Sequence, residues 1–152
     1  VVMSPGVPTD LPVVNKMRDA GIKISGEVEL AYTYGKGDVL AITGTNGKTT
    51  TTALLGEIMK NYQESVFVVG NIGNPYTTES LKMTEDSVAV AEVSSFQLET
   101  IHDFRPSVSA ILNITPDHLN RHHTMENYIQ AKEDYCEFRY FAPTGIHPFP
   151  EF

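Results

Sequence analysis

The patterning of this 152-residue chain predicts an α/β fold, a parallel sheet flanked by helices. Three features predict it. Four continuous apolar runs, at 39–43, 66–69, 88–93 and 108–114, have the length and composition of strands buried on both faces. Stretches of helical spacing separate them. The chemically unusual residues follow the carboxyl ends of those runs, at 44–49, 70–73, 92–95 and 113–118. Open parallel sheets bind their ligands at those ends.

Each element has its own local reason. Val1-Val2-Met3 reads as a strand entering the turn Ser4-Pro5-Gly6. A helix is expected over 12–20, with Gly21 as its stop. Ile22-Lys23-Ile24 alternates like a short strand, and 27–34 is again helical. Gly35-Lys36-Gly37 punctuates the chain, and a domain boundary is expected there. After the strand at 39–43, residues 49–61 carry Leu54, Leu55, Ile58 and Met59 at helical spacing. Further helices are expected over 95–102 and 125–138. Residues 139–152 have Pro143, Pro148 and Pro150 and no apolar period, so an irregular, non-native tail is expected. The expected division is 1–37, then a central domain 38–138, then the tail 139–152. Both ends suggest a fragment.

Composition narrows the function. With 41% hydrophobic and 20% charged residues the chain is globular. Its 11 Lys and Arg against 19 Asp and Glu give a net charge of −8. A nucleic-acid coat or a polybasic membrane patch needs the opposite sign, so neither partner is expected. Cys136 is the one cysteine, which excludes an intrachain disulfide and a cysteine-based zinc site. No apolar run is long enough to cross a bilayer, and the start lacks a signal-peptide layout. A cytoplasmic setting is expected. Asn113-Ile114-Thr115 fits a glycosylation sequon, here a chance match with no export signal and Pro116 behind it.

The strongest motif is Gly44-Thr45-Asn46-Gly47-Lys48-Thr49, between a strand and a helix. Glycines let backbone N–H groups approach phosphate oxygens without a Cβ clash. The helix N-terminus adds positive potential. Lys48 reaches the β- and γ-phosphates, and the Thr49 hydroxyl suits Mg²⁺. The common pattern asks for an earlier glycine where this chain has Ile42, so this is a variant loop. Its bland alternative is a glycine-rich turn with a solvated lysine.

Other polar residues stand near the same strand ends. Glu92 closes an apolar strand; it is either a cap for the next helix or an oxygen ligand for Mg²⁺. His118, in Thr115-Pro116-Asp117-His118, is either a solvated loop histidine or a site residue oriented by Asp117. Lys132 reads on its own as an exposed helix lysine in an i,i+4 pair. Asn71 and Ser94 suit either turn and cap chemistry or substrate contacts. His122 and His123 are left unassigned.

Several segments together resemble the Mur ligases, a family that also includes folylpolyglutamate synthase relatives. Gly44 to Thr50 is similar to their ATP loop. Glu92-Val93-Ser94-Ser95-Phe96-Gln97-Leu98-Glu99 resembles the D-glutamate-adding branch in particular. Ser4-Pro5-Gly6-Val7-Pro8, Gly26-Glu27-Val28-Glu29-Leu30, Gly70-Asn71-Ile72-Gly73 and Thr115-Pro116-Asp117-His118 agree with it. The matches run from about Met3 to Lys132. Asn120 departs from the family's usual Asp.

The resemblance implies a P-loop NTPase-like Mur ligase central domain, incomplete here, preceded in 1–37 by a remnant of a UDP-binding domain and a linker. It implies an ATP-dependent ligase of peptidoglycan synthesis. ATP activates the carboxylate of UDP-N-acetylmuramoyl-L-alanine as an acyl phosphate, which the amine of D-glutamate attacks. It assigns Gly44, Thr45, Asn46, Gly47, Lys48, Thr49 and Thr50 to the nucleotide. Two Mg²⁺ sites would use Thr49, Glu92, His118 and Lys132, the last carbamylated. Lys48, His118 and Lys132 would be catalytic, and Asn71 and Ser94 would touch the muramoyl substrate. A monomer, inactive as a fragment, is the expectation. Two rivals stay open: another carboxylate–amine ligase such as a folylpolyglutamate synthase, and a P-loop binding module without ligase chemistry.

Overall fold

The computed structural model describes residues 1–137, and the expected tail lies outside the described residues. Four strands form the main sheet: β3 (Asp38–Thr43), β4 (Val66–Gly70), β5 (Val88–Glu92) and β6 (Val108–Ile111). Their spatial order is β4-β5-β3-β6, and every pairing is parallel. All four expected strands are present. The last ends at Ile111, three residues early, although Leu112 still donates to Thr43 O and the chain runs on beside the phosphate loop.

Helices connect these strands because continuous parallel pairing requires crossovers. α3 (Lys48–Met59) leads from β3 to β4. A short α4 (Tyr76–Glu79) and a 3₁₀ turn at Ser80–Lys82 lead to β5. Beyond β5 come α5 (Ser95–Leu98), then β6, α6 (Leu119–His122) and α7 (Met125–Glu137). The amino-terminal part supplies β1 (Val2–Met3), α1 (Pro12–Asp19), β2 (Ser25–Gly26) and α2 (Glu27–Tyr34).

Alternate strand residues Val39, Ala41, Val69, Ala89 and Ala91 point into one core with Val28 and Ala31 of α2, Tyr76 of α4 and Tyr135 of α7. The small alanines let the covering helices approach. α3 lies on the sheet's other face, where Gly56 stands against Val68; a Cβ there would collide with the valine.

Two expectations are corrected. The short strand expected at 22–24 forms instead at Ser25–Gly26, where it pairs with Val2–Met3. Backbone pairing decides this: the Ser25 N–H bonds Val1 O at 2.9 Å. The helix expected over 95–102 stops at Leu98. Its would-be continuation is diverted by the buried Glu29 carboxylate, which accepts from the N–H groups of His102, Asp103 and Phe104. On α3 the buried positions are Thr52 and Gly56, while Leu54 and Ile58 are exposed. Leu55 and Met59 are half-buried on the inward side with Thr52 and Gly56.

Candidate active site at the phosphate loop

Strand register assembles the site. Ile42 pairs with Glu92, and Glu92 pairs with Gly70. The residues just beyond these three positions therefore emerge side by side. The chain reaches β4 and β5 on one side of β3 and β6 on the other, so the loop after β3 sits where the strand order switches.

The loop from Gly44 to Gly47 follows β3 and opens α3. Gly44 (φ 149°) and Gly47 (φ 81°) adopt backbone angles that exclude an ordinary side chain. Any Cβ at Gly44 would also press on Leu112 and Asn113 at 3.2–3.3 Å. The N–H groups of Gly47, Lys48 and Thr49 lie at the first turn of α3, where no helical carbonyl can take them. Lys48 folds back, and its Nζ donates to Gly44 O and Thr45 O at 2.9 Å each. Thr50 is exposed on the first turn of α3.

Beside the loop, Glu92 is only 1% exposed. Its carboxylate accepts from the Thr49 hydroxyl at 2.8 Å and from the Asn71 amide at 2.9 Å. It does not cap the next helix. That task falls to Ser94, which forms a capping box with Gln97 and also faces the cleft. A buried carboxylate held by a hydroxyl and an amide, next to a threonine, is a hard-oxygen donor set suited to Mg²⁺.

Lys132 is not an exposed helix lysine. It is 1% exposed, and its Nζ donates to Thr43 Oγ1 and Gly44 O at 3.1 Å each. It also lies 4.9 Å from the centroid of the Tyr128 ring. Burial, and then the nearby Lys48 ammonium, bring its pKa down to about 8, with Asp117 acting the other way.

His118 sits at the mouth of the cleft in a left-handed conformation (φ 51°). Asp117 Oδ2 is 3.4 Å from its Nε2, and the Phe96 ring lies 4.8 Å from its own. Gly44, Lys48, Asn71, Ser94, His118 and Lys132 thus share one cleft of about 380 Å³. Pro5 and Gly6 also line it. Glu92 and Thr49 adjoin it through Asn71 and Lys48. No three His, Cys, Asp or Glu side chains gather into a metal cage among the described residues.

Three residues of the site escaped the sequence reading. Tyr128 lines the cleft and bonds Thr45 Oγ1 at 3.0 Å. Its place four positions before Lys132 on α7 was the available signal. Phe96 packs at a tilt of 53° against His118 and carries the Arg121 guanidinium 5.0 Å from its centroid. His122 is buried and bonded to Ser95 Oγ at 2.9 Å. Burial lowers its pKa, and Glu99 opposes that shift. Nothing in two adjacent histidines distinguishes the buried one.

Comparison with known proteins agrees with this arrangement. Residues 42–138 match the family profile of the Mur ligase middle domain. The chain is 65% identical over 146 residues to UDP-N-acetylmuramoylalanine--D-glutamate ligase of Lachnospira eligens, covering 96% of this chain and 32% of that protein. It is 67% identical over 150 residues to the protein of the same name from Lachnoclostridium phytofermentans, covering 92% and 33%. For the one from Clostridioides difficile the identity is 55% over 150 residues, again covering 92% and 33%. The chain spans about a third of the length of the curated relatives it matches. With its profile match spanning the phosphate loop, Glu92, His118 and Lys132, the chain belongs to the Mur ligase family.

Proposed function

We propose that this chain supplies the ATP-binding and phosphoryl-transfer side of a ligase that joins D-glutamate to UDP-N-acetylmuramoyl-L-alanine through an acyl phosphate. One observation carries the reading: Lys48, Asn71, Ser94, His118 and the buried Lys132 face a single cleft at the phosphate loop. A regulatory nucleotide switch has no use for a buried lysine with a lowered pKa behind its loop. The relatives' names supply the substrates.

In this reading the N–H groups of Gly47, Lys48, Thr49 and Thr50 hold the triphosphate, helped by the α3 dipole. Lys48 turns from Gly44 O and Thr45 O toward the transferring phosphoryl group and stabilises its charge. Thr49 and Glu92 would hold one Mg²⁺; His118 and a carbamylated Lys132 would hold the other. Mg²⁺, when bound, neutralises phosphate charge during transfer. A pKa lowered to about 8 makes a far larger share of the Lys132 amine neutral near neutral pH than its ordinary value would. The neutral amine is the form that reacts with CO₂. Asn71 and Ser94 orient the muramoyl substrate beside Pro5 and Gly6.

The test is isothermal titration of the 152-residue chain with Mg·ATP, followed by incubation with ATP, the muramoyl substrate and labelled D-glutamate. Saturable nucleotide binding lost in Lys48→Ala is expected. The chain alone is expected to form no labelled amide at the rate of its full-length relatives. Absence of nucleotide binding would remove the reading. ¹³C-labelled bicarbonate should give a carbamate signal that disappears in Lys132→Ala.

A further inference from the structure

We infer that Asn113 is a positioning residue for the phosphate loop, acting through a strap that holds Thr45 and Asn46 from outside the cleft. The inference rests on the nucleotide reading of the same loop. Asn113 is exposed, lies just beyond β6 and is absent from the cleft lining. Its side chain nevertheless makes a reciprocal pair with the Asn46 backbone. Asn113 Oδ1 accepts from the Asn46 N–H at 2.9 Å, and Asn113 Nδ2 donates to Asn46 O at 2.9 Å. The side-chain amide thus replaces the next peptide of a strand partner. Asn113 O also accepts from the Thr45 N–H at 3.0 Å.

Neighbouring contacts continue the strap. The Thr45 hydroxyl donates to Thr115 O at 3.1 Å and accepts from the Thr115 N–H at 3.0 Å. Leu112 N–H bonds Thr43 O at 3.0 Å. Residues 112–115 therefore prolong the β3–β6 pairing past the end of the sheet.

The consequence is a division of labour along the loop. The N–H groups of Thr45 and Asn46 are engaged by the strap. Those of Gly47, Lys48 and Thr49, immediately following, remain at the start of α3 for an anion. The strap also fixes the peptides that carry Gly44 O and Thr45 O, the two carbonyls on which Lys48 rests. Asn113 sets the direction of the phosphate-binding donors without touching the ligand. Preorganised donors bind more tightly than donors that must be ordered on binding.

The experiment uses the 152-residue chain and two probes, Mg·ATP and inorganic triphosphate with Mg²⁺. Asn113→Ala and Asn113→Leu should each weaken both probes by about 10-fold. Their melting midpoints should stay within about 4 °C of wild type. In the wild type, hydrogen exchange should find the Thr45 and Asn46 amides protected before nucleotide is added, and Gly47 to Thr49 protected only after. Variants that bind both probes like wild type, while Lys48→Ala loses them, would overturn the strap and leave the nucleotide reading standing. A lower melting midpoint with unchanged affinity would overturn it too, since Asn113 would then serve stability alone. Should neither variant fold, equally fast exchange of Thr45, Asn46 and Gly47 without nucleotide would overturn it. A wild-type chain that binds neither probe would remove the nucleotide reading and the strap together.

Discussion

Lys132 is a cation held in a place that disfavours its charge. It is buried, a second lysine stands nearby, and its hydrogen-bond partners are a hydroxyl and a carbonyl. Its folded pKa of about 8 lies below the ordinary lysine value of 10.5. Between those values the unfolded chain binds more protons than the folded one, so stability rises with pH. The gain should approach 1 kcal/mol per pH unit, on the order of the one-proton limit, from pH 8 to 9.5. Denaturant melts across that window check it, with Lys132→Met as reference: the wild-type curve rises and the variant lacks that component. Lys48 is predicted to matter differently. Lys48→Ala in a full-length relative should reduce ATP turnover on the order of 10²–10³-fold in steady-state assays, because the loop loses a nearby cation aimed at the phosphates. The two lysines differ in setting: Lys48 is half-buried with its ammonium on two loop carbonyls, and Lys132 is fully buried.

At the level of elements, short segments are decided by neighbours more than by their own pattern. α5 has four residues, a capping box and no continuation, because Glu29 of α2 draws away the N–H groups of 102–104. Glu29→Ala should leave those donors unpaired and cost on the order of 3 kcal/mol in chemical denaturation. Glu29→Gln keeps only part of the acceptor capacity and should fall between the two. α3 makes the complementary point. Its exposed Leu54 (60%) and Ile58 (44%) would face inward if apolar spacing alone set the helix's rotation. Gly56 and Thr52 face the sheet instead, since small residues allow close approach to Val68 and its neighbours.

For the whole molecule, a polar clasp joins the amino-terminal segment to α6 and the end of α5. Arg121 donates from Nε and Nη2 to the two Glu99 oxygens at 3.1 and 2.7 Å, and from Nη2 to Val7 O at 3.0 Å. The Thr9 hydroxyl adds a bond to Glu99 at 3.1 Å. Pro5 and Gly6 reach the cleft because of this clasp. Arg121→Ala leaves a mostly buried carboxylate short of its cation and should cost about 2–3 kcal/mol. Limited proteolysis should then cut residues 1–9 before the sheet unfolds; simultaneous loss of both would show that the clasp is not a local device.

The sequence by itself determined the four parallel strands, the phosphate loop and helices expected at 12–20, 27–34, 49–61 and 125–138, which the structure has at 12–19, 27–34, 48–59 and 125–137. These follow from apolar runs, helical spacing and glycine chemistry, all of which act over a few residues. It also pointed to Glu92, His118 and Lys132, through resemblance rather than spacing. Tertiary structure decided what those residues touch. Lys132 meets Thr43 across 89 positions of chain, and Glu92 meets Thr49 across 43, through strand register and the docking of α7. Burial of Lys132, the choice between His122 and His123, the rotation of α3 and the Asn113 strap share one origin. Each depends on contacts between segments distant in sequence, and pairwise proximity of that kind leaves no local pattern to read.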